Sequence, residues 1–328
     1  MRKLCVGVVV VLLLTACNSN KALFQKARLA TAQGKYEQAI ALYTRLVKQE
    51  PNHFAAYLNR GILWEQRKTK NDKEKQQYLL NAEHDYQRAM ELEPNVAEPY
   101  NNLGALYIDT NRYIDAVGVL TDALNLNTNY FTARVNRAIA YYRSGRTLDA
   151  LIDFNKAAQL RPRDPLLLLN RALTYFDMGE YESAVRDLTV LIALNPKDAR
   201  AYLERARSLM RLDYPADAYA DLETAVSIKP TYALAYYYMG DLMFRKGEVD
   251  RALGLLQESK KWADKYAPTY ELMGDMLAMS DPISATANYM AARKLDPARA
   301  AHYEAKMRAM RTEKGREQVQ TRRFYSEP

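Results

Sequence analysis

Small and apolar residues return along the chain with a period of about 34, which is the spacing of a repeated supersecondary unit and not of a single long helix or a run of strands. Ala39, Ala82, Ala116, Ala150, Ala184, Ala218, Ala252 and Ala285 mark it. If that alanine is position 20 of a unit, position 8 is also small throughout, as Ala27, Gly61, Gly104, Ala138, Ala172, Ala206, Gly240 and Gly274. Within one unit Arg134, Ala138 and Tyr141 stand at i, i+4, i+7, and so do Ala150, Phe154 and Ala157, so each trio shares one helical face. The pattern predicts two amphipathic helices per unit, with the small residues where their axes approach. Gly34, Gly145, Gly179 and Gly247 fall between the two helices, where a turn needs freedom from Cβ strain. Pro51, Pro94, Pro162, Pro196, Pro230 and Pro297 stop the second helix.

The fourth unit, 131–164, carries Ala138, Tyr141, Gly145, Ala150, Phe154, Ala157 and Pro162, and in this it resembles the tetratricopeptide repeat family. Similar units start near Asn20, Phe54, Ala97, Pro165, Ala199, Ala233 and Ala267. The resemblance implies an all-α fold: a right-handed superhelical α-solenoid of about eight helix-turn-helix units over 20–299, followed by a capping helix and a basic, disordered tail over 300–328. Departures are local. Thr128 and Asp264 replace the proline, Leu46 and Leu191 replace the second-helix alanine, and the last unit is one residue short at Asp281-Pro282. Gly61 and Ala82 are 21 residues apart where other full units have 12, so a charged insertion near 67–75 is expected, either as a solvated hairpin or extra helical turns, or as a partner contact.

The first residues read as an export signal over 1–16. Arg2 and Lys3 precede an apolar run from Leu4 to Leu14, too short to span a bilayer. Leu14-Thr15-Ala16-Cys17 resembles a bacterial lipobox, in which Cys17 becomes the lipid-bearing first residue of the mature chain, with 17–19 as anchor and short linker. Several acyl chains hold a protein on a membrane stably. By the sorting rule of Gram-negative lipoproteins, Asn18 implies the periplasmic face of the outer membrane. Cys5 and Cys17 are the two cysteines, so the mature chain would hold no disulfide. The net charge of +8 loses Arg2 and Lys3 with the signal, and from Arg299 onward eight basic residues face four glutamates. The repeats themselves are then nearly neutral, which argues against a nucleic-acid partner.

In the family the first helices form a concave wall, chiefly at positions 2, 5, 6, 9, 12 and 13. Position 6 is Asn59, Asn102, Asn136 and Asn170, similar to the asparagine ladder in the repeat region of O-linked N-acetylglucosamine transferase. Such amides offer donor and acceptor to a peptide backbone, although asparagine is also common at this place in the family. Position 12 gives Ile108, Tyr142, Phe176, Met210 and Phe244, and positions 5 and 9 add Val135, Leu169, Leu173 and Tyr237. They either face the groove or pack on the next first helix. Arg200, Arg207, Arg211 and Arg245 suit an acidic client segment unless Asp177, Glu204 and Asp241 neutralise them. The two-sided basic clamp for chaperone C-termini does not map, because Phe24 and Leu203 stand where it would want lysine.

Nothing points to catalysis. His53, His84 and His302 lie in different units, without metal-ligand spacing, a phosphate loop or a nucleophile elbow. No cofactor, metal or small-molecule substrate is expected. The sequence therefore predicts a protein-binding scaffold or adaptor for envelope partners, held to the membrane by lipid. A pilotin-like assembly factor for a secretin or pilus system and a structural envelope element stand as alternatives.

Overall fold

The computed structural model describes residues 19–325, with side chains through residue 320. Every regular element among them is helical. They divide at Pro162 into two compact bodies. The first holds four helix pairs: α1 (19–32) with α2 (Tyr36–Gln49), α3 (Phe54–Gln66) with α4 (Asp72–Leu92), α5 (Ala97–Asp109) with α6 (Tyr113–Leu126), and α7 (Phe131–Arg143) with α8 (Thr147–Leu160). The second holds α9 (Pro165–Asp177) with α10 (Tyr181–Leu194), α11 (Ala199–Arg211) with α12 (Pro215–Ile228), α13 (Ala233–Arg245) with α14 (Val249–Trp262), and α15 (Ala267–Leu277) with α16 (Pro282–Leu295). A 3-10 turn over Pro297–Arg299, α17 (Ala300–Ala309) and α18 (Glu313–Tyr325) complete it. This is the α-solenoid the period predicts. The signal segment and Cys17 lie outside the described residues.

The eight position-20 alanines are all fully buried. The closest contact in a pair, however, runs from position 8 to position 24. A Cβ added at Gly104 would stand 2.4 Å from Leu120 Cγ, and one at Gly61 or Gly274 would stand 2.7 or 2.5 Å from Cε1 of Tyr86 or Tyr289. Tyr43, Tyr86, Leu120, Phe154, Leu188, Leu222, Leu256 and Tyr289 fill position 24, each at most 1% exposed. A large side chain on the second helix thus needs the bare backbone or single methyl of the first.

In six of the eight pairs the turn uses position 15 in the left-handed region. Gly145 and Gly179 both have φ 80°, and Asn111 and Asp213 take φ 60° in their own turns, as short polar side chains can. The next amide then donates back to the first helix, Arg146 N to Tyr141 O at 2.8 Å and Tyr214 N to Leu209 O at 2.9 Å, which uses carbonyls the helix end leaves open.

A polar clasp recurs inside the stack. Arg60, Arg137, Arg171 and Arg205, all at position 7, place Nε and Nη2 on the two oxygens of Asp85, Asp153, Asp187 and Asp221 at position 23, at 2.7 to 3.0 Å. Nη1 of Arg60, Arg137 and Arg205 donates to Thr44, Thr121 and Thr189 on the second helix of the preceding unit, at 3.1 to 3.2 Å. One guanidinium therefore ties its own pair together and ties that pair to its neighbour. Burial opposes the charge on Arg137 and Arg171, the bonds to aspartate outweigh it, and both pKa values rise. In the third and seventh units the same two positions are both apolar, Leu103 with Val119 and Met239 with Leu255, and in the first and eighth they are mixed, Lys26 with Leu42 and Met273 with Asn288.

The insertion appears as a loop over 67–71 and as a second helix of 21 residues, where α6 has 14. Arg67 does not simply face solvent. Its Nη2 lies 2.7 Å from Glu37 and its guanidinium 4.2 Å over the Tyr78 ring. The tail also differs from the sequence expectation, since α18 continues beyond Gly315. Gly315 N donates to Thr312 Oγ1 at 3.1 Å as a local cap, Arg316 Nη1 reaches Met310 O at 3.2 Å, and Val319 packs on the Tyr289 and Met310 cluster.

Two outcomes test this packing. Gly104→Ala should lower stability by about 1–3 kcal/mol through overpacking. Gly118→Ala, with nothing within 4 Å of the new Cβ, should raise it by about 0.5–1 kcal/mol. Urea midpoints of the two variants separate these effects. Arg205→Leu should cost about 3–5 kcal/mol because Asp221, 6% exposed, is left as a buried charge without its partner. Adding Asp221→Val, the solution already used in the third unit, should recover most of that loss in a double-mutant cycle.

Candidate protein-binding surface

In the second body the first helices bring together arginines and aromatic rings. Arg207 on α11 lies 4.5 Å over the Phe176 ring of α9 and 5.8 Å over the Tyr238 ring of α13. It also pairs with Glu204 at 2.5 Å. Tyr237 meets Tyr238 edge-on at 5.2 Å and Tyr266, at the start of α15, at 5.4 Å and 90°. Burial pushes the Tyr266 hydroxyl up to about 12, and the Tyr238 hydroxyl beside it rises for the same reason. These phenols stay neutral at physiological pH and keep both donor and acceptor capacity. The surface offers ring faces, phenol hydroxyls and a guanidinium plane, the groups that make compact protein contacts at low entropic cost.

The predicted residues divide on inspection. Phe176, Tyr237 and Tyr142 are half-buried. Phe244 is fully buried, packed with Met243, Leu272, Met273 and Met276, and is corrected from a wall residue to a core residue. Val135 and Met210 are buried too, at 2% and 8%. Arg211 is exposed and lies 5.0 Å over Tyr181, while Arg245 pairs with Asp241 at 2.9 Å.

The asparagines are half-buried and engaged within the protein. Asn59 Nδ2 donates to Ala55 O at 2.6 Å and Asn170 Nδ2 to Leu166 O at 2.8 Å, each one turn back on its own helix. Asn136 Nδ2 donates to Asn101 Oδ1 at 3.1 Å, and Asn101 Nδ2 to Asn102 Oδ1 at 3.2 Å. Asn101, Tyr238 and Tyr266 are not among the binding residues that the sequence predicts. Tyr266 precedes its helix, so helical periodicity does not reach it.

The densest titratable cluster closes the C-terminal end. Lys306 Nζ lies 2.8 Å from Glu271 and 2.7 Å from Asp275, and Arg299 and His302 reach Glu271 at 3.1 and 2.8 Å. Burial works to raise Glu271, but Lys306 and its neighbours overcome it and hold the carboxyl at about 2. Asp275, more deeply buried, is raised by desolvation. α17 thus sits where another first helix would stand and neutralises the acidic face of α15. Among the described residues no group of three or more His, Cys, Asp or Glu could hold a metal ion, and no helix is long and apolar enough to cross a membrane.

Stacked helix pairs with small residues at the crossings define the class as a helical-repeat scaffold. Tetratricopeptide repeat models match residues 24–72, 85–118, 169–233 and 203–266, together more than half of the chain. The chain belongs to the tetratricopeptide repeat family, and its fold is that of a protein-interaction scaffold. No curated protein sequence matches it significantly. Among solved structures, a tetratricopeptide repeat protein from Parabacteroides merdae is similar with a TM-score of 0.58 at 20% identity, over 78% of this chain and 98% of that one. Pseudomonas aeruginosa pilF gives 0.58 at 16% identity, over 69% and 99%. The Cut9-Hcn1 complex gives 0.58 at 15% identity, over 92% of this chain and 55% of that one. At these identities the likeness is one of fold.

Lys306→Met should leave Glu271 and Asp275 facing one another with less compensation. The sign follows from like charge: the variant should be destabilised most near pH 7 and least near pH 4 to 5, where one carboxyl takes up a proton. Thermal melts of variant and parent across this range check it.

Proposed function

We propose that this chain is a lipid-anchored adaptor on the periplasmic face of the bacterial outer membrane, which gathers envelope proteins on its first-helix surface. The observation that carries the binding role is the set formed by Phe176, Arg207, Tyr237, Tyr238 and Tyr266, contributed by four first-helix segments of one body. No single repeat could assemble it. Aromatic and arginine side chains are the types that most often dominate protein interfaces. The anchor rests on the sequence alone: Arg2, Lys3, the run Leu4 to Leu14, and Leu14-Thr15-Ala16-Cys17 followed by Asn18. Asn59, Asn102, Asn136 and Asn170 keep a role only through whatever hydrogen-bonding capacity their internal bonds leave.

Photo-crosslinkers at Tyr142, Phe176 and Tyr237 in living cells, read by mass spectrometry, test the surface. A dominant protein adduct from these sites is the expected result. Adducts from Lys68–Lys75 alone would move the function to the insertion. Cys17→Ser should leave the melting curve unchanged and release the protein from the membrane fraction. Retention of that variant would remove the anchor.

A further inference from the structure

A recess of about 810 Å3 opens in the second body between the α11–α12 turn and the α13–α14 turn. Met210, Leu242, Met243 and Tyr219 supply its apolar lining. Its origin can be read from the unit before. There Tyr181, the first residue of α10, rests edge-on against Phe176 at 5.4 Å and carries the Arg211 guanidinium at 5.0 Å. One repeat later Pro215 stands in place of Tyr181, Met210 in place of Phe176, and Arg245 in place of Arg211. All three line the recess, and the neighbouring Ala216 adds little volume. Tyr36, Tyr113 and Tyr181 supply a ring at this position in three units, whereas Leu79, Thr147, Val249 and Pro282 hold it in the other four; the space left at Pro215 corresponds to the ring of the unit directly before it.

We propose that this recess is a docking site for an aromatic side chain of a partner protein with a carboxylate beside it. The ring would enter between Met210 and Arg245, as Tyr181 lies between Phe176 and Arg211, gaining apolar burial and a cation–π contact. The carboxylate preference comes from the mouth. Of the described lining residues, Arg211, Arg245, Lys246 and Arg251 are cationic and Asp213 is acidic, and Arg245 also pairs with Asp241 at 2.9 Å. The chain itself already places a carboxylate on this rim, since Glu248 bonds both Lys246, at 2.6 Å, and Arg251. The site does not depend on the aromatic wall built around Arg207, and its failure would leave that reading intact.

The probe is a fluorescein-labelled, C-terminally amidated peptide Gly-Ser-Asp-Phe-Gly-Ser, followed by anisotropy with the full mature chain. Binding should disappear when the peptide Phe becomes Ala and weaken when its Asp becomes Asn or when salt is raised. A free-acid peptide ending in Phe, compared with its amide, separates a terminal carboxylate from a side-chain one. Pro215→Tyr restores the ring that α10 carries and should weaken binding about tenfold or more, equivalent to about 1.4 kcal/mol, with an unchanged melting curve. Ala216→Trp fills the same space from an exposed position and should act alike, which keeps the test valid if the first variant folds poorly. Lys246→Glu with Arg251→Glu should weaken the Asp-containing peptide and spare its Asn counterpart. Unaltered binding by both filling variants, equal binding of the Ala peptide, or no binding by the parent protein would overturn the proposal.

Discussion

Each helix pair depends on one steric constraint: a large residue at position 24 lies against a residue with no side chain, or a methyl only, at position 8. With Leu120 carbons 2.4 to 2.9 Å from where a Gly104 Cβ would stand, the two axes could not keep this distance for any larger residue. The same approach within the pair buries Ala39, Ala82 and Ala150 completely, and it brings Ala252 O to 3.3 Å from where a Gly240 Cβ would stand. The left-handed turns are subordinate, because their role is to reverse the chain within the short distance that the contact sets.

The Arg–Asp clasps show a second way to satisfy the same place in the repeat. A buried ion pair recovers its desolvation cost only with near-ideal geometry, and a well-packed apolar pair often does as well. This chain uses both, with Arg205 and Asp221 in one unit and Met239 and Leu255 in the next. The clasp adds direction. A guanidinium with a fixed fork reaches Asp on its own pair and Thr on the preceding one, so it sets the offset between repeats, which apolar contacts leave softer.

Much of this was legible because period converts directly into burial. The recurrent second-helix alanine of each unit, the second-helix aromatics and the inter-helix glycines occupy the predicted places for that reason. The insertion was legible as well. Its nine extra residues appear again in the clasp, where Arg60 and Asp85 are 25 apart and Arg205 and Asp221 are 16. What the period could not separate was the face toward open space from the face toward the next first helix, since both lie on the same side of one helix. Phe176 and Phe244 share position 12, yet one is half-exposed and the other fully buried in the core cluster that holds Leu272 and Met276. The clasp itself was available in the sequence as two positions that are Arg and Asp together in four units and apolar together in two, but at a distance that amphipathic periodicity does not examine. The asparagine row looked like a ladder because spacing reports where an amide begins and not which carbonyl, such as Ala55 O, it has already met.

The repeat therefore serves as its own reference, and its breaks carry the information that its regularity does not. Where Gly145 or Gly179 gives way to Asp213, the turn keeps its left-handed geometry, so the substitution is conservative in shape. Where Tyr181 gives way to Pro215, shape is lost: the backbone still starts a helix, but the ring that covered the adjoining units is gone and a cavity with a basic rim is left. Tyr214, next to it, remains 54% exposed and does not turn in to cover the gap. A recess whose filled form is displayed one repeat earlier is most simply understood as a place that another molecule completes.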